Sequence, residues 1–166
     1  MDLALVDQVS RLPAAQAFRV YAELLVQAPH QAQIAALALR DKARAGELGE
    51  QVIPLLDTCL KDAPDGACVV HFAKALAAFG RRAQPAATTL IAKLRELRVT
   101  DDAAYWVLDG SLFALGFLGG KAAFAFLAEL AVERPSRAIR ANAIYAGELT
   151  KEQREHRFRE CLERVH

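Results

Sequence analysis

The chain has 166 residues, with 21 basic and 20 acidic side chains and a net charge of +1. This length suits one domain or one short repeat array better than two separate folds, and the balanced charge gives no long-range pull on DNA or anionic lipid. Hydrophobic residues reach 54% with only 7% aromatics, while glycine and proline number nine and six. Alanine, the best helix former, supplies about a fifth of the chain. Disorder, collagen and an all-β sandwich are thereby excluded, and a single helical domain over residues 1–166 is expected.

The elements follow from the breakers. Leu3, Val6 and Val9 precede Pro13, and Phe18, Ala22 and Leu25 follow it, which predicts a first, less regular pair of helices. Pro29 opens the next unit, Pro64-Asp65-Gly66 another, Thr100-Asp101-Asp102 a third and Pro135-Ser136 a fourth. Each unit is broken again, at residues 46–49, 80–84, 119–120 and 147–150, so each reads as two helices joined by a short turn. Thr100 and Ser136 suit N-caps, and the aspartates after Thr100 complement a helix dipole. Thr150-Lys151-Glu152-Gln153 reads as a capping box. The helix it opens carries the stripe Phe158, Cys161, Leu162 and Val165, as a terminal cap with one wet side would. Between breaks the apolar spacing is helical, as in Ile34, Leu37 and Ala38, and no segment alternates over strand length. About ten helices in five pairs are predicted.

An internal repeat supports this division. Shifting the chain by 36 residues aligns Ala75-Leu76-Ala77-Ala78-Phe79-Gly80 with Ser111-Leu112-Phe113-Ala114-Leu115-Gly116. The match continues as Ala86-Ala87 on Ala122-Ala123, Leu90-Ile91 on Phe126-Leu127 and Leu94 on Leu130. Small residues at crossings with Leu or Phe between them let one hairpin stack on the next, burying a core that no hairpin has alone.

On Ile53-Pro54-Leu55-Leu56 with Leu60-Lys61-Asp62, Ala75-Leu76 with Phe79-Gly80, Ala83 and Pro85, and Arg140 with Ala141 and Ala143, the chain resembles the HEAT-repeat family in its short bacterial form. The resemblance covers residues 29–147. It implies an all-α, HEAT-like α-solenoid of stacked antiparallel helix hairpins that binds macromolecules, usually without catalysis. A tetratricopeptide array is disfavoured because Trp106 lacks the Leu-Gly and Tyr that follow in that family.

No chemistry-bearing motif competes with a binding role. His30, His71, His156 and His166 are scattered without metal-ligand spacing, so no metal and no cofactor are expected. Glu152 and His156, one turn apart, read as a surface ion pair. Cys59, Cys68 and Cys161 form an odd set without CxxC, which points to reduced, packed thiols and to a cytoplasmic protein. Cys68 and His71 share a helix face, but Ala67, Val69 and Val70 offer nothing that would lower a thiol pKa. Gly116-Phe117-Leu118-Gly119-Gly120 has no following lysine-serine pair and no preceding strand, as a phosphate loop would, and reads as a turn. Residues 110–128 are apolar apart from Ser111 and Lys121, but the two glycines divide them into pieces too short to span a bilayer. Asp2 and Asp7 replace the basic start of an export signal, and the excess of arginine over lysine suggests a GC-rich bacterial genome.

The most distinctive cluster is Asp101-Asp102-Ala103-Ala104-Tyr105-Trp106-Val107-Leu108-Asp109. Asp102, Trp106 and Asp109 fall on one helix face, where an aromatic flanked by acids would suit an interface; the plainer reading is a Trp that fills a gap between hairpins. Arg140 and Tyr145 are expected on the same ridge. The candidate partner-binding set is thus Asp101, Asp102, Tyr105, Trp106, Asp109, Arg140 and Tyr145, with no catalytic residue. The expectation is a non-enzymatic protein-binding module, most concretely a bacterial immunity protein that neutralises a cognate basic toxin or nuclease. A scaffold or assembly subunit is the alternative. HEAT-like folds also resemble base-excision glycosylases, into which Trp106 and Asp109 would be drawn, but duplex binding wants a basic track that this chain lacks.

Overall fold

The computed structural model describes residues 3–97 and 102–133. Among the described residues every regular element is helical. In chain order they are α1 (Leu3–Ser10), α2 (Ala14–Gln27), α3 (Ala32–Arg44), α4 (Ile53–Lys61), α5 (Gly66–Ala77), α6 (Ala87–Glu96), α7 (Asp102–Leu118) and α8 (Lys121–Glu133). Short 3₁₀ turns at Pro29–Gln31, Glu50–Val52 and Gly80–Ala86 lead into α3, α4 and α6. The sequence predicts about ten helices; the described residues hold eight, and those expected after Pro135 and Thr150 lie outside them.

The helix ends are set by local chemistry at the positions the breakers mark. Asp65, extended at φ −148° and ψ 170°, caps α5 by accepting the Cys68 amide at 2.8 Å. Pro54 occupies the first turn of α4, where its missing N–H leaves no donor unused. Gly46, at φ +75°, ends α3 in a Schellman turn. Its amide donates to the Ala43 carbonyl at 3.1 Å, and the Glu47 amide donates to the Lys42 carbonyl at 3.0 Å. Gly119 and Gly120 both adopt positive φ between α7 and α8, which only glycine does at little strain. Replacing Asp65 with alanine should remove the α5 cap and lower stability by about 1 kcal/mol in urea unfolding, with asparagine restoring most of it.

Packing proceeds in two series. Helix α3 lies between α1 and α5, and α5 lies between α3 and α7; on the other side α6 lies between α4 and α8. The series are joined by α2 against α3, α4 against α5, and α7 against α8. One continuous core runs between them through Leu39, Leu56, Leu60, Phe72, Leu76, Leu90, Leu112 and Leu118, all fully buried. Close approach of α5 and α7 depends on small residues. A Cβ on Gly66 would clash with Val107 Cγ2, and one on Gly110 would sit 3.1 Å from Val70 Cγ1. Ser111, fully buried, satisfies its hydroxyl by donating to the Val107 carbonyl at 2.7 Å. Arg95 on α6 pairs with Glu129 on α8 at 2.8 Å and lies over the Phe126 ring.

The 36-residue shift is visible in burial. Leu76 and Leu112, Ala87 and Ala123, Leu90 and Phe126, and Leu94 and Leu130 are buried in pairs. Ala86 and Ala122 part company: Ala86 is buried in a 3₁₀ turn, whereas Ala122 is exposed on the first turn of α8. No helix among the described residues is long and apolar enough to cross a membrane.

Candidate functional site

Helix α7 carries an aromatic stripe. Trp106, Gly110, Phe113 and Phe117 fall at i, i+4, i+7 and i+11, so they line one side of the helix. Trp106 is 48% exposed and Phe117 38%, high values for residues of this size. Opposite them, α5 and its C-cap residue present Ala77 and Ala78, whose short side chains leave a low floor, and Lys74 on the rim. Arg44, the last residue of α3, extends the rim. Together these residues enclose an open groove of about 570 Å³.

The charges are unevenly distributed. Asp109 lines the α7 side, while Arg44 and Lys74 stand on the α3–α5 side. Burial holds the Lys74 ammonium below its ordinary pKa, and the neighbouring Arg40 and Arg44 push it further down; Asp109 acts in the opposite direction. Burial, and then Asp109, raise the Tyr105 phenol.

Of the candidate residues, Trp106 and Asp109 line the groove. Tyr105 is half-buried and packs against the core. Asp102 starts α7, but its side chain lies outside the described residues, as do Asp101, Arg140 and Tyr145 altogether. Sequence reasoning missed Arg44, Lys74, Phe113 and Phe117. The two phenylalanines had a signal, their helical spacing from Trp106. The two cations had none, because they arrive from helices far upstream.

Cys59 and Cys68 are free and buried; burial, and then Asp62, push the Cys59 thiol up to about 12, and burial with Asp65 raises Cys68. Cys68 therefore has the opposite of the environment that makes a thiolate nucleophile. His71 is buried and accepts at Nδ1 from Arg40 Nη1–H at 3.3 Å. Among the described residues no three of His, Cys, Asp and Glu are grouped to hold a metal ion. No family model, curated protein or solved structure matches the chain.

Proposed function

We propose that the chain is a HEAT-like array of stacked helix hairpins that works by binding another protein without catalysis, most concretely as an immunity protein that occludes a cognate toxin. The observation that carries this reading is the groove: Trp106 and Phe117 stand exposed over an alanine floor with charged residues at the rim. Large aromatics that remain accessible beside a polar margin are the usual anchors of protein interfaces. The series packing of α1, α3, α5 and α7 supports the stacked-hairpin part, since each pair buries its apolar side against the next.

The test is co-expression with the product of the adjoining gene, read by gel filtration and by rescue from its toxicity. A complex is expected, and Trp106→Ala should weaken it by about 30-fold, the loss typical of one aromatic anchor. Because Trp106 is half exposed, the thermal midpoint should stay within a few degrees of the parent. Separate elution without rescue removes the immunity reading. A large fall in midpoint without loss of affinity assigns Trp106 to the core.

A scaffold or assembly subunit is the second reading, and the other helix series favours it. Val26 on α2, Leu55 on α4 and Phe124 on α8 are exposed at 85%, 45% and 40%. A scaffold would use both faces, so several stoichiometric partners would co-purify and Phe124→Ser would release some of them while leaving those held by Trp106.

A further inference from the structure

The charge pattern of the groove selects what enters it. Arg44 and Lys74 come from α3 and α5, which pack against each other, and both line the groove beside the alanine floor. Neither forms an ion pair among the described residues, whereas Arg11, Arg40, Lys42, Arg82 and Arg95 each hold a carboxylate. The opposite wall is aromatic, with Asp109 as its acid. A segment lying between the walls therefore meets guanidinium and ammonium donors on one side and Trp106, Phe113 and Phe117 on the other.

We propose that this groove seats an acidic, apolar segment of a partner protein, with its carboxylates against Arg44 and Lys74 and an aromatic or leucine side chain against Trp106 and Phe117. The inference rests on the protein-binding reading and adds the chemistry of the bound segment. A guanidinium takes a carboxylate through two parallel N–H donors, so Arg44 supplies orientation as well as charge. Lys74 is crowded by Arg40 and Arg44, and an arriving carboxylate relieves that repulsion. The sequence expectation of a basic partner rests on Asp101, Asp102 and Asp109; among the described side chains Asp109 lines the groove, and two cations face it. The chain's own residues after Glu133 carry more basic than acidic side chains, including Arg134, Arg137 and Arg140, and so are poorly matched to this rim.

Trp106 is the sole tryptophan, so its emission reports occupancy of the groove directly. The full chain is titrated with two synthetic peptides that share length and Phe and Leu positions, one carrying Asp and Glu between them and the other Lys. The acidic peptide should shift Trp106 emission saturably and bind more tightly than its lysine counterpart by about tenfold, a modest rim-charge effect. In the Arg44→Glu/Lys74→Glu variant the order should reverse, with an unchanged circular dichroism spectrum showing that it folds. Arg44→Gln, which removes one charge without adding another, should give an intermediate preference. Equal binding of the two peptides, no response to either, an order unchanged in the double variant, or an emission change on raising the protein concentration alone overturns the proposal. If a co-expressed partner still binds the double variant as tightly as the parent, this charge assignment falls while protein binding stands. If no partner is found but the acidic peptide still binds with the expected preference, the immunity reading falls alone.

Discussion

Replacing Phe72 with alanine is expected to lower stability by about 3–5 kcal/mol, the usual loss for a fully buried phenylalanine whose site collapses only partly. Phe72 has no exposed surface and lies on α5, between α3 and α7 and against α4. Its ring meets Tyr21 of α2 edge-on, with centroids 4.8 Å apart and planes at 80°. Tyr21 in turn donates its hydroxyl to the Cys59 carbonyl of α4 at 3.4 Å. Truncating Phe72 therefore removes a contact shared by α2 and α5 and loosens the tyrosine that ties α2 to α4. Against a total stability of about 5–15 kcal/mol, a large part is lost, and the thermal midpoint should fall by about 10 °C or more. Phe72→Leu should cost much less because it keeps most of the volume. Urea unfolding checks both variants; a loss under about 1 kcal/mol for the alanine variant would show that α5 is not the centre of the array.

Much of the helical framework is legible in the residues that stop helices. Pro29, Asp65-Gly66, Gly80 and Gly119-Gly120 stand at helix boundaries because each imposes a backbone state or a cap that a continuing helix does not accept. The 36-residue register is legible because Leu76 and Leu112, or Leu94 and Leu130, are buried at positions 36 residues apart. The exposure of Trp106 is not legible, because a tryptophan at helical spacing fits a core as well as a surface. What decides it is the height of the facing side chains, and Ala77 and Ala78 are too short to cover the ring. The cationic rim is hidden for a different reason. Arg44 sits at a helix end and Lys74 inside an apolar helix, and only the lateral packing of α3, α5 and α7 brings them to one groove. Of the acids at residues 101–109, Asp109 is the one whose side chain is described, and it shares the groove with these two cations.

Acidification is expected to destabilise the fold through His71. The Arg40 guanidinium has only donors, so the bond from its Nη1–H at 3.3 Å requires an unprotonated Nδ1, and the neutral ring carries its proton on Nε2. Burial, and then the positive charges of Arg40 and Lys74, push the His71 pKa down to about 4; Asp41 and Asp65 oppose this without overcoming it. In the unfolded chain the same group titrates near 6.5. Between those values the unfolded chain binds a proton that the folded chain refuses, so stability rises with pH there. The contribution is complete above about pH 6.5, and each unit of acidification below it removes about 1.4 kcal/mol until the folded pKa is reached. His71→Gln keeps an acceptor for Arg40 but cannot titrate. Between pH 7 and pH 4.5 the parent should therefore lose about 2 kcal/mol more than this variant, a difference that cancels the carboxylates common to both. Parallel pH profiles, or an imidazole proton resonance that titrates near 6.5 in the folded protein, would show that His71 is not held neutral. Because Arg40 and Lys74 already act on His71, its protonation would add a third cation beside them, and the folded state resists that step until the pH nears 4.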